Sequence, residues 1–507
     1  MNTLLYYNFS RMRFFEALLS FANLLAVLGL VIPQLHTMRG VGYVSLLALL
    51  IAAAQIAIEG PRWQMIPAYV LTILFFLIWL LGIILPGALH VNRFVSILST
   101  GAGILVLVIS IALPILLPVF HFPKPTGPYA IGTLIYHWVD TSRPELFTTD
   151  PNDHRELMIQ VWYPAKNEPS APRAPYIQDA DSVTPALASV THFPGFLFTH
   201  YKYVTTNAVA SAPMADNQSS YPVLIYLTGL DGFRAVNTFQ IEELVSHGYI
   251  VVGLDQPGAV ALVHFPDGRQ ISGWSKGEIQ PLVMQSVEPQ PKTPTIYGKA
   301  LPEGIIPYFA QDVSFTLDQL AAINTFDPNH ILTGRLDLGR VGTFGISLGG
   351  MNAAEACLKD PRLKACLIMD VYLPANVVKA GLQQPGMFLT RDANTMRLER
   401  ARSGGWTEND IALTLDTMRT VFQNLQGDGY YVEIPKMFHI NFTDAPYWSP
   451  IMSLIGLTGP INGQRGFDIV NGYSLAFFDK QLEDQPSPLL NGPSKQFPEV
   501  NFEKRRH

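Results

Sequence analysis

The stretch Arg340-Val-Gly-Thr-Phe-Gly-Ile-Ser347-Leu-Gly-Gly350 decides the fold that we predict for this chain of 507 residues. Apolar, β-prone residues lead into Gly-x-Ser-x-Gly, and a helix-forming run follows at 351–358. This order is typical of a nucleophile elbow, in which a strand ends, the backbone turns sharply and a helix begins. Glycines two residues to either side of the serine avoid Cβ clashes in such a turn. We therefore predict that Ser347 presents its hydroxyl at the end of a strand.

A second copy of the motif, Gly273-Trp-Ser275-Lys-Gly277, serves as a control because glycine and serine are common residues. It follows a turn-like polar stretch, Asp267-Gly-Arg-Gln, and no helical pattern comes after it. We expect Ser275 to lie in a loop with no strand leading into it. Ser347 is therefore the candidate nucleophile.

Charge is distributed unevenly along the chain. Residues 1–123 contain five arginines, no lysine and two glutamates, whereas the remaining residues contain 29 basic and 38 acidic side chains. The mild acidity of the second part, without a block of lysine or arginine, predicts no binding to nucleic acid. Two cysteines are too few for a disulfide framework, and we interpret Cys357 and Cys366 as buried small hydrophobes.

Residues 1–123 are predicted to form a transmembrane helical domain, which makes the chain an integral, multi-pass membrane protein. Four charge-poor apolar runs of 18 or more residues stand out, and about 20 helical residues at 1.5 Å each cross the hydrocarbon core. The runs lie at about 14–33, 41–58, 65–86 and 95–120. We expect Glu16, near the start of the first run, to reach the membrane interface. Of the basic residues that flank the runs, four lie on the side of the membrane that carries both ends of the chain and two lie on the opposite side. Because positive residues favour the cytoplasmic side, this difference favours a cytoplasmic catalytic domain.

Residues 124–507 are predicted to form an α/β domain with a mostly parallel central sheet. Apolar strands at 221–228 and 248–255 flank a helical stretch, which is the β-α-β signature of a parallel sheet covered on both faces. Residues 164–220 and 256–305 are rich in proline or show no clear period, and we predict an irregular insertion with short helices at the first and a loop-rich insertion at the second.

A serine hydroxyl needs an imidazole to take its proton and a carboxylate to orient the imidazole. In the α/β-hydrolase fold these groups follow in the order serine, acid, histidine, at the carboxyl ends of strands. Downstream of Ser347 the sequence contains only His439 and His507, and His507 lies in a charged tail that we expect to be disordered. His439 is therefore the candidate base. Asp370 and Asp392 each follow an apolar strand, and the spacing does not choose between them.

Three segments resemble the plasma-type platelet-activating-factor acetylhydrolases. The first is the strand and turn at 221–234, running on to Ser-His-Gly-Tyr-Ile at 246–250. The second is the elbow with an aspartate 23 residues beyond its serine, and the third is His439-x-Asn-Phe-x-Asp444. The resemblance covers roughly residues 125–480 and omits the apolar runs. It implies a serine esterase with an α/β-hydrolase fold that acts on phospholipids with short or oxidised acyl chains.

Carried over by position, the resemblance implies Ser347 as nucleophile, Asp370 as orienting acid and His439 as general base. It also implies that the backbone N–H groups of Leu230 and Leu348 form the oxyanion hole. These enzymes need no metal, and we expect neither a metal nor another cofactor. The chain departs from the family pattern at Thr228, where histidine is usual, and at Ile346 and Leu348, where histidine and phenylalanine are common. We expect the acyl pocket to differ for this reason.

The predicted membrane domain favours lipid esters because an enzyme at the bilayer surface meets lipids at high local concentration. Two alternatives stay open at this stage. The chain could be a general carboxylesterase for soluble esters, or a membrane sensor or transport component whose hydrolase-like domain only binds a ligand. The acyl length, the head group, the side of the membrane, the existence of a lid and the oligomeric state do not follow from the sequence.

Overall fold

The computed structural model describes residues 12–32, 39–85 and 93–505. Within these residues the chain divides into two compact units. The helical unit comprises the residues up to Phe120 together with Thr199–Val204 and Trp448–Ile451. The sheet unit comprises His121–Phe198, Thr205–Tyr447 and the residues from Met452 onward. Two short segments that are distant in the sequence from the apolar runs therefore belong to the helical unit.

The helices of the helical unit coincide closely with the predicted apolar runs. They are α1 (Phe14–Val31), α2 (Arg39–Ile58), α3 (Ile66–Ile84) and α4 (Arg93–Leu116), with a 3₁₀ turn at Trp63–Met65. Trp63–Ile84 and Ile97–Leu116 are long and apolar enough to cross a membrane, whereas the apolar parts of α1 and α2 are shorter. Residues 117–120, which we predicted within the fourth span, follow the end of α4. The predicted span ends at 33 and 86 lie outside the described residues.

Glu16, in the first turn of α1, is buried inside the helical unit and paired with an arginine. Its carboxylate is buried and accepts hydrogen bonds from Arg62 Nε at 2.7 Å and Nη2 at 2.6 Å. Arg62 Nη1 also donates to the carbonyl of Leu117 at 2.6 Å, directly after the end of α4. A charge among apolar helices is tolerated when an opposite charge and hydrogen bonds compensate its lost hydration. The Arg62–Glu16 pair provides both, which the spacing of charges along the sequence does not reveal.

The sheet unit is built on one large mixed sheet. In chain order the strands of the unit are β1 (Ala130–Pro144), β2 (His154–Ala165), β3 (Arg173–Pro175), β4 (Thr205–Ala210), β5 (Tyr221–Leu227), β6 (Ile250–Asp255), β7 (Leu262–His264), β8 (Gln270–Ser272), β9 (Thr295–Ile296), β10 (Lys299–Ala300), β11 (Leu336–Ile346), β12 (Leu363–Met369), β13 (Gly386–Thr390), β14 (Gly429–Glu433) and β15 (Asn501–Arg505). Eleven of them form a sheet in the order β15-β14-β13-β12-β11-β5-β6-β2-β1-β4-β3. The six strands from β14 to β6 in this order are parallel to one another, as the β-α-β pattern predicts, whereas β15 and β2 pair antiparallel with the two ends of this run.

Helices cover both faces of this sheet, as the surroundings of β5 show. The helices that follow β1 in the chain are α5 (Ala180–Val190), α6 (Thr238–Ser246), α7 (Lys276–Val287), α8 (Ile306–Thr325), α9 (Leu348–Lys359), α10 (Ala375–Ala380), α11 (Ala393–Ser403), α12 (Glu408–Asn424), α13 (Ala445–Trp448) and α14 (Gly463–Leu482). Val223 and Ile225 of β5 share a core with α8 and α9. Tyr226 faces the other way and packs on Phe344, which contacts Phe478 of α14. Because side chains alternate along a strand, β5 is buried on both sides.

Three predicted loop regions contain regular structure. The charged tail that we expected to be disordered forms β15, which pairs antiparallel with β14 at the edge of the sheet, while His507 lies outside the described residues. The insertion at 164–220 contains β3, α5 and β4, and the insertion at 256–305 contains α7 and two short hairpins. Short elements of this kind depend on contacts with the rest of the unit, so their own sequences predict them poorly.

Candidate active site

The elbow predicted at Ser347 is present. β11 ends at Ile346 and α9 begins at Leu348, and Ser347 between them has φ 56° and ψ −129°. A Cβ atom on Gly345 would lie 2.3 Å from the carbonyl oxygen of Gly349, and one on Gly349 would lie 2.1 Å from the carbonyl oxygen of Leu227. Only glycine allows such close approaches. The motif glycines therefore hold the serine in a backbone conformation that L-residues rarely adopt.

The second copy of the motif has a different structure. Ser275 has φ −57° and ψ 152° and stands directly before α7, between the short strand β8 and that helix. Glu278 accepts hydrogen bonds from the backbone N–H of Ser275 at 2.9 Å and from its hydroxyl at 2.6 Å. Our prediction of a loop without a helix is therefore wrong. Ser275 stands at the N-terminus of a helix, and its hydroxyl donates a hydrogen bond to Glu278.

Neighbouring strands place Asp370 next to the elbow. The N–H of Ser347 donates to the carbonyl of Met369, the last residue of β12, at 3.0 Å. Asp370 follows at once, with φ 46°, and its own N–H donates to Leu389 of β13 at 2.9 Å. Ser347 and Asp370 thus emerge from adjacent parallel strands at the same carboxyl edge of the sheet.

The structure joins Asp370 to His439. His439 follows β14 and opens a 3₁₀ helix at His439–Phe442, and its Nδ1 lies 2.6 Å from Asp370 Oδ2. Burial acts to raise the pKa of Asp370, but the charge of Arg391 and the hydrogen bonds from His439 outweigh it, so the pKa lies below its usual value. An ionised carboxylate only accepts hydrogen bonds, so Nδ1 carries the proton and Nε2 of the neutral ring is left as a base.

Asp392, the other candidate acid, has a different partner. It stands before α11 and accepts a hydrogen bond from the N–H of Thr395 at 2.9 Å, with a second one from the Thr395 hydroxyl at 2.5 Å. This is the arrangement of a helix N-cap, which satisfies free N–H groups of the first turn. The structure therefore brings Asp370, and not Asp392, to His439.

The two N–H groups predicted for an oxyanion hole lie on segments that flank Ser347. Leu348 is the first residue of α9, where the helix leaves its N–H without an internal acceptor. Leu230 follows β5 and Gly229, and a Cβ atom on Gly229 would lie 3.0 Å from the Cβ of Ser347. Among the described residues neither N–H has a hydrogen-bond acceptor. Both donors are thus available near the serine.

Sequence reasoning missed three residues beside Asp370 and His439. Arg391 is fully buried and donates from Nε to both oxygens of Asp370, at 3.0 and 2.9 Å. Glu399 accepts from Arg391 Nη1 and from the backbone N–H of His439, the latter at 3.2 Å. The ring of Trp406 lies 4.5 Å from the Arg391 guanidinium carbon and 5.1 Å from the His439 ring. The available signal was an arginine directly after an apolar strand at the edge of the sheet.

Comparisons with known proteins agree with this architecture. Residues 117–264 match the family described as "Platelet-activating factor acetylhydrolase, isoform II". A "Probable 1-alkyl-2-acetylglycerophosphocholine esterase" of Arthroderma benhamiae is 25% identical over 412 residues, which cover 76% of this chain and 94% of that protein. A "Platelet-activating factor acetylhydrolase" of Cavia porcellus is 23% identical over 384 residues, covering 73% of this chain and 81% of that protein.

A solved structure, a ferulic acid esterase from Streptomyces cinnamoneus, is similar in fold. It has a TM-score of 0.57 and 26% sequence identity, and the match covers 76% of this chain and 99% of that one. Together these matches confirm the resemblance that the sequence motifs indicate. The family match at 117–264 includes Leu230 and ends before Ser347, Asp370 and His439, so the roles of those three residues depend on their geometry.

Proposed function

We propose that this chain, a carboxylic ester hydrolase of the platelet-activating-factor acetylhydrolase type, is a membrane-anchored serine esterase with Ser347 as its nucleophile. The observation that carries the proposal is the 2.6 Å contact between His439 Nδ1 and Asp370, at the sheet edge from which Ser347 emerges. Acyl transfer requires a serine nucleophile and a histidine that a carboxylate orients, and Ser347 shares this sheet edge with the acid that orients His439.

In the proposed mechanism Ser347 Oγ attacks the ester carbonyl while His439 Nε2 takes the hydroxyl proton. The N–H groups of Leu230 and Leu348 stabilise the negative oxygen of the tetrahedral intermediate. The C–O bond to the alcohol then breaks, His439 returns the proton to the leaving alcohol, and an acyl-enzyme remains. Water, deprotonated by His439, attacks the acyl-enzyme and releases the carboxylic acid and free Ser347. Asp370 holds the imidazole in the required tautomer throughout.

The proposed substrates are phospholipids with short or oxidised acyl chains. The Arthroderma benhamiae relative is named as an esterase of 1-alkyl-2-acetylglycerophosphocholine, which is a lipid of this kind. Thr228, Ile346 and Leu348 stand near the elbow at positions where the family usually has other residues. We propose that these three residues alter the acyl pocket while the backbone donors retain their role.

We further propose that residues 1–123 anchor the enzyme through four transmembrane spans and that 124–507 form its catalytic domain. Support comes from the two helices that are long and apolar enough to cross a membrane. The shorter apolar parts of α1 and α2 pack with them in one unit. The excess of basic residues on one side of the spans favours a cytoplasmic active site.

A general carboxylesterase for soluble esters is the second candidate function. It is favoured by the likeness to a solved structure named as a ferulic acid esterase. Both candidates share the same acyl-enzyme chemistry, so they differ only in the substrate that reaches Ser347.

Labelling with a serine-reactive fluorophosphonate tests the chemistry. We expect the full-length chain in detergent to take up one equivalent and to hydrolyse a short-chain ester, and we expect Ser347→Ala to lose both. Ser275→Ala is the matched control and keeps both. Undiminished hydrolysis by Ser347→Ala would overturn the proposed nucleophile, and hydrolysis by neither protein would favour a binding function.

A comparison of two substrates tests the specificity. The full-length chain is reconstituted in liposomes that contain a phospholipid with an acetyl chain, and kcat/KM is measured for this lipid and for a water-soluble acetyl ester. We expect the lipid to be preferred by about tenfold or more because the enzyme and lipid share one surface. Equal or reversed preference would support the soluble-ester candidate.

A further inference from the structure

A buried cluster of charges adjoins Asp370 and His439 and has no part in the mechanism described above. Arg391 lies at the end of β13 and Glu399 lies in α11. Arg391 is 0% exposed and Glu399 is 6% exposed. Burying an arginine costs free energy because its hydration is lost, so the interactions with its partners must offset that cost. Here the partners are the proposed catalytic acid on one side and Glu399 on the other.

Arg391 holds both oxygens of the Asp370 carboxylate. Its Nε lies 3.0 Å from Oδ1 and 2.9 Å from Oδ2, while His439 Nδ1 approaches Oδ2 at 2.6 Å. This charged hydrogen bond is shared between the two oxygens, so it restrains the position of the carboxylate, and movement of the carboxylate away from His439 would weaken it. Arg391 therefore helps to hold the oxygen that accepts from His439 in place.

Glu399 holds His439 through the backbone and balances the charge of Arg391. One carboxylate oxygen, Oε2, accepts from Arg391 Nη1 and from the N–H of His439. Arg391 alone would cancel the charge of Asp370 and make an imidazolium at His439 less stable. With Glu399 included, the cluster keeps one net negative charge next to the imidazole. The charged groups in contact with His439 or with its partners are Asp370 from β12, Arg391 from the end of β13 and Glu399 from α11.

Trp406 covers this cluster on one side. Its ring stands 4.5 Å from the guanidinium carbon of Arg391 and 5.1 Å from the His439 ring, at an interplanar angle of 64° to the latter. An aromatic face attracts a cation and displaces water from it. Charge interactions inside the cluster are consequently stronger than at an exposed site.

We propose that Arg391 and Glu399 are positioning residues that act as a charge-compensated pair: Arg391 fixes the Asp370 carboxylate, and Glu399 anchors His439 and restores the negative charge that Arg391 neutralises. The inference rests on the proposed function, since it assigns the pair to the acid and base of that reaction. Neither residue touches the reacting atoms. Their effect is on the orientation of the imidazole and on the net charge of the groups next to it.

The pH dependence of kcat/KM tests the charge balance. In Glu399→Gln the positive charge of Arg391 is no longer balanced, so an imidazolium is less stable and His439 stays neutral to a lower pH. We expect the acid limb of the profile to move down by about 0.5 to 1 pH unit. Adding Arg391→Met removes the uncompensated cation, and we expect the limb of the double variant to move back up towards that of the wild type. Activities are expressed per fluorophosphonate-labelled site, so that misfolded protein does not contribute.

An exposed ion pair provides the matched control. Arg397 in α11 and Glu408 in α12 lie 3.1 Å apart, with side chains 47% and 58% exposed. Glu408→Gln and the double variant Arg397→Met/Glu408→Gln make the same changes of charge near the site, but in solvent. We expect the acid limb to stay in place in both. A limb that shifts equally in the control and the buried variants would show a general charge effect and overturn the inference.

Arg391→Lys tests the positioning independently, should Glu399→Gln fail to fold. Lysine keeps the positive charge but lacks the planar guanidinium group, whose Nε bonds Asp370 while its Nη1 bonds Glu399. We expect the acid limb to stay in place while kcat falls by about tenfold or more. A kcat equal to that of the wild type would overturn the positioning role. Activity that survives in Ser347→Ala would instead overturn the proposed function, so the two failures are distinguishable.

Discussion

The two copies of Gly-x-Ser-x-Gly in this chain share their two glycines and their serine, and they differ in almost everything that the structure adds. Ser347 has a positive φ of 56°, whereas Ser275 has an ordinary φ of −57°. Both serines stand between a strand and a helix, so the order of elements does not separate them. The difference lies in the strand. Ser347 ends a central strand of the large sheet and is hydrogen-bonded to the next strand, whereas Ser275 follows a three-residue strand of a small hairpin.

The motif therefore provides only a serine hydroxyl, and the residues around that hydroxyl determine whether it can act as a nucleophile. The Ser275 hydroxyl donates a hydrogen bond to Glu278. This bond stabilises the charged carboxylate and lowers the pKa of Glu278. Among the described residues no carboxylate is hydrogen-bonded to the Ser347 hydroxyl, and the same edge of the sheet holds Asp370 joined to His439. A serine is activated by a base that a third group orients, and only one copy has both nearby.

The largest expected difference between the copies is in turnover. Ser347→Ala should reduce kcat for a short-chain ester by about 10⁴- to 10⁶-fold, because the covalent step is lost. Ser275→Ala should leave kcat within about twofold, since its hydroxyl only contacts Glu278. Steady-state kinetics of both variants, with circular dichroism to verify folding, decide the matter. A large loss in Ser275→Ala at full stability would break the comparison.

The two aspartates should differ in the same way. Asp370→Asn should lower kcat by about 10⁴-fold, because an amide cannot hold His439 in the required tautomer. Asp392→Asn should change kcat and the free energy of unfolding only slightly, because asparagine is as good an N-cap as aspartate. Steady-state kinetics and chemical denaturation of the two variants show which substitution lowers kcat more and whether either changes the free energy of unfolding. The reverse ranking would assign the orienting role to Asp392.

The last glycine of each motif occupies the second position of the following helix and offers a matched test of packing. A Cβ atom on Gly349 would lie 2.1 Å from a backbone oxygen of β5, whereas one on Gly277 would have no heavy atom within 4 Å. Gly349→Ala should destabilise the protein by about 3 kcal/mol or more and reduce fluorophosphonate labelling. Gly277→Ala should be neutral or stabilising by about 0.5 kcal/mol. Equal denaturation midpoints for the two variants would contradict the predicted difference in packing.

The smallest expected effect concerns the helix cap. Ser275→Ala removes the hydroxyl that binds Glu278 at the start of α7, and we expect the free energy of unfolding to fall by about 1 kcal/mol. Ser275→Asp should retain a capping side chain and lose less. Thermal unfolding of both variants is the measurement. Stabilisation by alanine would show that the capping interaction contributes nothing.

The local features of the site follow from the amino-acid sequence alone. Alternating strand and helix patterns predicted a mostly parallel sheet, and Gly-x-Ser-x-Gly between an apolar strand and a helical run predicted the elbow at Ser347. These features depend on residues within a few positions of each other, so periodicity and glycine spacing reveal them. Only two histidines, His439 and His507, follow the elbow in the sequence, which made His439 the candidate base.

The pattern of apolar strands does not choose between Asp370 and Asp392, and although the family resemblance implies Asp370, the contact with His439 is visible only in the tertiary structure. The order of strands places β12 beside the elbow strand, and the loop after β14 returns His439 to Asp370. The same holds for the buried pairs of Arg391 with Asp370 and of Arg62 with Glu16. The physical reason is that a charge loses its hydration wherever the fold buries it, and its partner comes from whichever segment folds against it, however distant in the chain.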